Sequence, residues 1–170
     1  MDLKDTIRSI KDFPKEGIIF RDITTLLKDP DALKESIDEI EQKLANVDYD
    51  VIVAPESRGF IFGMPLAYKE NKAFVPIRKA GKLPAKTVSQ EYALEYGTAK
   101  IEMHLDALKK GQKVVIVDDL LATGGTAKAM IDLVESVGAE VSGLCFLIEL
   151  DELNGRKAVG NYNVNSVIHY

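Results

Sequence analysis

Short apolar runs, too brief to be helices, constrain this chain most. Val51-Ile52-Val53-Ala54, Val114-Val115-Ile116-Val117 and Val141–Leu150 lack the alternation of a strand with one wet face. They read as strands covered on both sides, the condition of a parallel sheet between helices. Ala73–Ile77 reads as another strand, and Asn165–Ile168 offers a fifth. The segments between them carry a helical period. Leu33, Ile37, Ile40, Leu44 and Val47 form one stripe that begins behind Asp29-Pro30, where Asp caps and Pro suits the first helical position. Ala127, Met130, Val134 and Val137 form a second stripe, closed by Gly138. Phe60–Tyr68 also reads as helical, with Pro65 expected near its start or at a kink. Strands alternating with helices predict an α/β fold with an open, mostly parallel sheet, and 170 residues predict one domain over 1–170.

Lys79–Tyr96 breaks this rhythm. It holds Gly81, Pro84 and many polar residues without a sustained period, so it reads as a long mobile loop or loose hairpin. Segments of that length in compact domains commonly serve as functional lids.

Charge excludes one broad class of partner. The chain has 22 basic and 27 acidic side chains, a formal net charge of −5, and no basic run longer than two residues. Generic DNA or RNA binding is not expected, although a local basic pocket for a small anion is compatible. The single cysteine, Cys145, lies in an apolar run and reads as a small buried hydrophobe. Met1–Asp5 is charged at once, with no apolar core behind it, so no signal peptide is expected. No apolar stretch approaches the ~18 residues of a membrane span. These features predict a soluble protein of a reducing cytoplasm.

Ligands of open α/β sheets sit beyond the carboxyl ends of the strands. After Val117 come Asp118, Asp119, Leu120, Leu121, Ala122, Thr123, Gly124, Gly125 and Thr126, and then a helix. Two glycines, two hydroxyls and the leading N–H groups of a helix make a phosphate cradle. Adjacent carboxylates repel phosphate and suit neutral hydroxyls beside it. A phosphorylated sugar satisfies both halves; a capped turn with two solvated acids is the alternative. Neither G-x-x-x-x-G-K-[ST] nor G-x-G-x-x-G occurs, which argues against a P-loop nucleotidase and a dinucleotide-binding domain. His104 and His169 stand isolated in the sequence and read as surface or core residues rather than metal ligands.

The stretch Val114–Thr126, VVIVDDLLATGGT, resembles the phosphoribosyl-pyrophosphate signature of the type I phosphoribosyltransferases. Phe13-Pro14 with Gly17–Thr24, then Ser57–Gly63 and Leu94–Gly97, resemble the adenine-specific members in order and spacing. Thr25 stands where members often have Pro, and Pro55-Glu56 replaces a more usual small-plus-acid pair. The resemblance implies that fold, with a small hood over about 1–28 and a mobile lid over about 79–98. It implies transfer of 5-phosphoribosyl from its 1-diphosphate (PRPP) to adenine, giving AMP and diphosphate. It assigns Asp118 and Asp119 to the ribose hydroxyls, and Ala122, Thr123, Gly124, Gly125 and Thr126 to the 5′-phosphate. Arg58, Arg78, Lys79 and Lys82 become the diphosphate cations. Ile19 and Phe20 become base contacts, Glu95 a candidate proton-transfer group, and Tyr96 its neighbour. Mg²⁺ is expected to arrive on the phosphates without direct protein ligands, and a homodimer is implied. A transferase for another purine base, or a PRPP-binding regulator of the same fold, is the alternative reading.

Overall fold

The computed structural model describes residues 1–94 and 96–170, which fall into two compact units, Met1–Glu39 and Ile40–Tyr170. In the first unit, β1 (Arg8–Lys11) and β2 (Ile19–Asp22) form an antiparallel hairpin, followed by the short helix α1 (Thr24–Leu27). Asp22 ties this unit together: its carboxylate accepts from the Thr24 amide, the Thr24 hydroxyl and the Arg8 guanidinium. Those bonds hold its carboxyl down at about 2.

Helix α2 (Pro30–Lys43) starts where the sequence places it, with Asp29 Oδ1 accepting from the amides of Asp31 and Ala32 at 3.0 and 3.2 Å. It stops earlier than its apolar stripe. Leu44 and Val47 complete the stripe from the turn beyond it, still buried or half-buried.

The second unit contains β3 (Val51–Pro55), α3 (Arg58–Glu70), β4 (Ala73–Lys79), β5 (Thr87–Ala93), β6 (Thr98–His104), β7 (Lys113–Leu121), α4 (Gly125–Ser136), β8 (Glu140–Glu149), α5 (Gly155–Val159) and β9 (Val164–His169). Its seven-stranded sheet has the order β5-β6-β4-β3-β7-β8-β9. Strands β4, β3, β7, β8 and β9 run parallel, and the β5–β6 hairpin is added antiparallel at the β4 edge. The mostly parallel sheet is therefore present, with a paired hairpin where the sequence reads as a long mobile loop or a loose hairpin.

The first strand of this hairpin, β5, lies in the segment read as a lid, and β6 follows it. β5 pairs with β6 over its whole length, from Thr87↔His104 to Ala93↔Thr98. Its inward positions include Val88 and Tyr92 but also Gln90, so the apolar half of the alternation is broken at its centre. Residues 80–86 remain the true loop.

Helix α3 runs through Pro65 rather than starting there. Proline removes one helical N–H, yet Phe62 and Leu66 on either side are fully buried and hold the helix against the sheet. Gly63 permits this closeness, since a Cβ there would lie 3.0 Å from the Ala54 Cβ. Val51, Val53, Val114 and Ile116 face the opposite side and share a core with Met130, Ile131, Leu133 and Val134 of α4. Cys145 lies wholly buried in β8, where burial pushes its thiol up to about 12, so it packs as a hydrophobe.

Candidate active site

The chain turns from β3 to β4 on one side and later places β7 on the other, so β3 lies at the switch point of the sheet. The carboxyl ends of β3 and β7 are neighbours there. Parallel pairing with β8 continues to Leu121↔Glu149, so the two acids sit within β7 rather than beyond its end. Both are therefore less exposed than strand-end carboxylates would be. The Asp119 amide donates to Asp118 Oδ1 at 2.8 Å, and Arg58 Nε donates to Asp119 Oδ2 at 2.6 Å. Burial, and then the neighbouring charge of Asp119, push the Asp118 carboxyl well above the usual range. Gly59 leaves that carboxylate its room: a Cβ there would lie 3.1 Å from Asp118 Oδ1 and 2.6 Å from Pro55 Cδ.

Past Leu121 the chain makes the tight loop that the sequence predicts. Gly124 has φ +90, which favours glycine, and α4 begins at the next residue without a side-chain cap. Its leading amide groups and helix dipole therefore address the loop. The loop is backed by main chain. A Cβ on Gly124 would lie 2.5 Å from the Gly155 carbonyl oxygen, and one on Gly155 would lie 2.5 Å from that of Ala122. Arg58, Asp118, Asp119 and the whole run Ala122–Thr126 line one cavity of about 200 Å³, with Phe146 at its floor.

The neighbouring cavity, of about 350 Å³, is lined by Glu56, Ser57, Arg58, Lys79, Tyr92, Asp118, Asp119 and Thr126. Glu56 organises its cations. Its carboxylate accepts from Lys82 Nζ at 2.8 Å and from the Lys79 amide at 2.7 Å, and the Arg78 guanidinium lies 3.5 Å away. The Lys82 bond foremost, with the Lys79 amide and Arg78, lowers its carboxyl to about 2. Sequence reasoning treated Glu56 only as a family departure and missed this role. The available signal was an acid just after a buried strand, facing basic residues after the next.

The comparisons with known proteins agree with this geometry. The phosphoribosyl transferase domain family matches residues 22–168. An adenine phosphoribosyltransferase of Lachnoclostridium phytofermentans is 60% identical over 168 residues, covering 99% of this chain and 97% of its own. The chain belongs to the adenine phosphoribosyltransferase family. The crystal structure of the family member from Thermoanaerobacter pseudethanolicus superposes with a TM-score of 0.97 at 54% identity, covering 99% of this chain and 98% of that one. The Saccharomyces cerevisiae adenine phosphoribosyltransferase, solved with D-2,5-dideoxy-2,5-imino-altritol 1,6-bisphosphate and adenine, gives 0.91 at 39% identity, covering 98% and 96%.

Of the other expected residues, Tyr96 lines neither cavity. Tyr96 is 82% exposed at the hairpin tip, and Glu95 lies outside the described residues. In the first unit Ile19 is 47% exposed, and Phe20 stacks edge-on against Phe13 at 5.2 Å. The Ile18 carbonyl already accepts from the Phe13 amide at 3.2 Å, which leaves one lone pair for a further donor.

The histidines are less isolated than they read. His104 Nε2 accepts from the Ala85 amide at 3.3 Å. His169 Nδ1 lies 2.7 Å from Asp151 Oδ1, and with Glu149 these residues form a three-ligand cluster. The Glu149 carboxylate is committed elsewhere: Arg156 donates to both of its oxygens, and the Ser166 hydroxyl donates at 2.6 Å. Those bonds and the Arg156 charge outweigh burial and hold its carboxyl below the usual range. The group is a hydrogen-bonded network around the Glu149–Arg156 ion pair, at the ends of β8 and β9.

Proposed function

We propose that the chain transfers 5-phosphoribosyl from 5-phospho-α-D-ribose 1-diphosphate to adenine, forming AMP and diphosphate in purine salvage. The observation that carries this reading is the cavity in which Arg58, both acids and the Ala122–Thr126 loop converge. That cavity offers a phosphate cradle beside hydroxyl acceptors and a cation. Family membership supports the choice of adenine.

In the reaction, the bond from the anomeric carbon to the diphosphate oxygen breaks, and the leaving group takes the electron pair. A bond from the same carbon to adenine N9 forms, and the N9 proton passes to a base. The ribosyl centre becomes oxocarbenium-like, as in glycoside transfer. Asp118 and Asp119 hold the 2′- and 3′-hydroxyls, and Asp119, paired with Arg58, favours the positive ring. Ala122, Thr123, Gly124, Gly125 and Thr126 hold the 5′-phosphate. Arg58, Arg78, Lys79 and Lys82 receive the diphosphate, with Lys82 leaving Glu56 to do so. Ile19 and Phe20 contact the base, Glu95 serves in proton transfer, and Tyr96 flanks it. Residues 1–28 act as hood and 79–98 as lid of one domain over 1–170.

A Mg²⁺ bound through the donor's phosphates would supply neutralisation of their charge. Among the described residues no group fits a resident Mg²⁺ cage: Glu149 of the three-ligand cluster is spent on Arg156 and Ser166, and Asp119 on Arg58. We place the enzyme in the cytoplasm as a homodimer. A lone buried cysteine supports a reducing compartment, and family resemblance supports the dimer. Among the described residues no helix is long and apolar enough to cross a membrane.

Base choice tests the reading. A 6-oxo group accepts and wants a donor such as lysine, but the exit of β8, Leu144–Asp151, has no lysine before Lys157. The 6-amino group of adenine donates and wants an acceptor, which the Ile18–Phe20 carbonyls supply. A mismatched buried polar pair costs ~10⁴-fold or more in selectivity. With equal adenine and hypoxanthine, product analysis is expected to show almost only AMP. Comparable IMP would move the assignment to another purine transferase.

A further inference from the structure

One aromatic side chain with no role so far touches the phosphate loop. Tyr92 stands on β5, half-buried and packed with Val88 against the core. The Thr126 hydroxyl donates to the Tyr92 hydroxyl at 3.2 Å, and a Cβ on Gly125 would meet the tyrosine ring at 3.8 Å. Together with Thr126, Tyr92 lines the 350 Å³ cavity and a more apolar one of about 300 Å³ beneath the β5–β6 arm. We propose that Tyr92 is a positioning residue whose hydroxyl aims the Thr126 hydroxyl and so couples the arm to occupancy of the phosphate loop.

The coupling follows from proton counting. Each hydroxyl has one proton to donate and accepts through its oxygen. Without phosphate, either hydroxyl can donate in this contact, the Thr126 proton included. A phosphate oxygen is a charged and stronger acceptor than a phenol, so a bound phosphate takes that proton. The Tyr92 hydroxyl then rotates and donates to Thr126 Oγ1. The chain from Tyr92 through Thr126 to phosphate polarises along its length, and each bond strengthens the next. The present separation exceeds the ~2.7–2.8 Å usual for O–H···O bonds, so the contact can shorten when the donor and acceptor exchange roles. Because β5 is paired with β6 along its length, a shift at Tyr92 moves the arm as one piece.

This inference rests on the assignment of Ala122–Thr126 to the 5′-phosphate, and the test separates the two. Ribose 5-phosphate is the probe, since it carries neither diphosphate nor base. Its affinity is measured by calorimetry, and cutting of the 80–97 segment by protease is followed with and without it. Tyr92→Phe is nearly isosteric and is expected to bind the probe about fivefold more weakly, the cost of one hydrogen bond. It is expected to lose the protection of the arm that wild type gains. Thr126→Ser, which keeps a hydroxyl, should keep the protection. Thr126→Val should bind the probe more weakly than Tyr92→Phe, and adding Tyr92→Phe to it should weaken binding no further. Wild-type affinity and protection in Tyr92→Phe, or additive losses in the double variant, would overturn the coupling alone. Unchanged probe affinity in Thr126→Val would overturn the phosphate assignment and the coupling with it.

Discussion

In the proposed phosphate cradle of the β7–α4 turn, five consecutive residues, the last two opening α4, offer largely main-chain groups. Around Glu56, by contrast, Arg78 and Lys79 come from the end of β4 and Lys82 from the following loop, all gathered by one carboxylate from the end of β3. The turn is fixed by backbone packing on both sides. The cation cluster is fixed by charge: its Arg78 and Lys82 side chains are 36% and 45% exposed, and its carboxylate competes with any incoming anion. A preorganised cradle costs little to use, whereas a self-paired cluster must exchange partners when a polyanion binds. The comparison predicts that the turn carries the rate and that the cluster carries donor affinity.

The largest expected effect lies on the turn side. Asp119→Asn removes the partner of Arg58 and, on the proposed function, the charge at the ribosyl centre, and it is expected to lower kcat/KM by ~10²–10³-fold, the scale of a lost electrostatic stabiliser. Circular dichroism should show the fold retained. Wild-type turnover in both this variant and Asp118→Asn would remove the ribose assignment.

A smaller effect is expected in the cluster. Lys82→Ala should raise the KM for the donor by about tenfold, the scale of one charge-assisted contact, and leave kcat close to wild type. Steady-state kinetics with varied donor give the split. A fall in kcat with unchanged donor KM would erase the contrast between the two regions.

The smallest effect is one of stability and pH. The Glu56 carboxyl is held at about 2, below its ordinary 4.5, so folding favours its ionised form. That contribution is fully present above the ordinary value and is lost as pH falls from there toward 2. Thermal unfolding should therefore show wild type more stable than Glu56→Gln at pH 7, with the gap shrinking below about pH 4.5. A gap that widens on acidification would show that Glu56 is not held as an ion.

The same contrast explains what could be read without coordinates. Asp118 through Thr126 is contiguous, so strand, acids, glycines and helix start lie in one line of sequence, and the residues brought to the 200 Å³ cavity were nearly all visible there. Arg58 was visible because it follows a buried strand. Glu56 and Tyr92 were not, because their partners lie far off in sequence at Lys82 and Thr126. The β5 strand was obscured by Gln90 at an inward position, and the length of α3 by Pro65, whose lost hydrogen bond is outweighed by the packing of Phe62 and Leu66. His169 looked solitary because Asp151 meets it only after β9 returns beside β8. Local chemistry is written in runs, and tertiary pairing is not.

The close packing of Gly155 against the main chain of Ala122 and Gly124 bears on how this loop can be transplanted. A Cβ on Gly124 would press on the Gly155 carbonyl oxygen and one on Gly155 on that of Ala122, and main-chain oxygen cannot be trimmed by substitution. Neither position can accept a larger residue alone, and a compensating change at the other has nothing left to trim. A designer who copies Asp118–Thr126 into a new scaffold without α5 takes the signature but leaves behind the wall that shapes it.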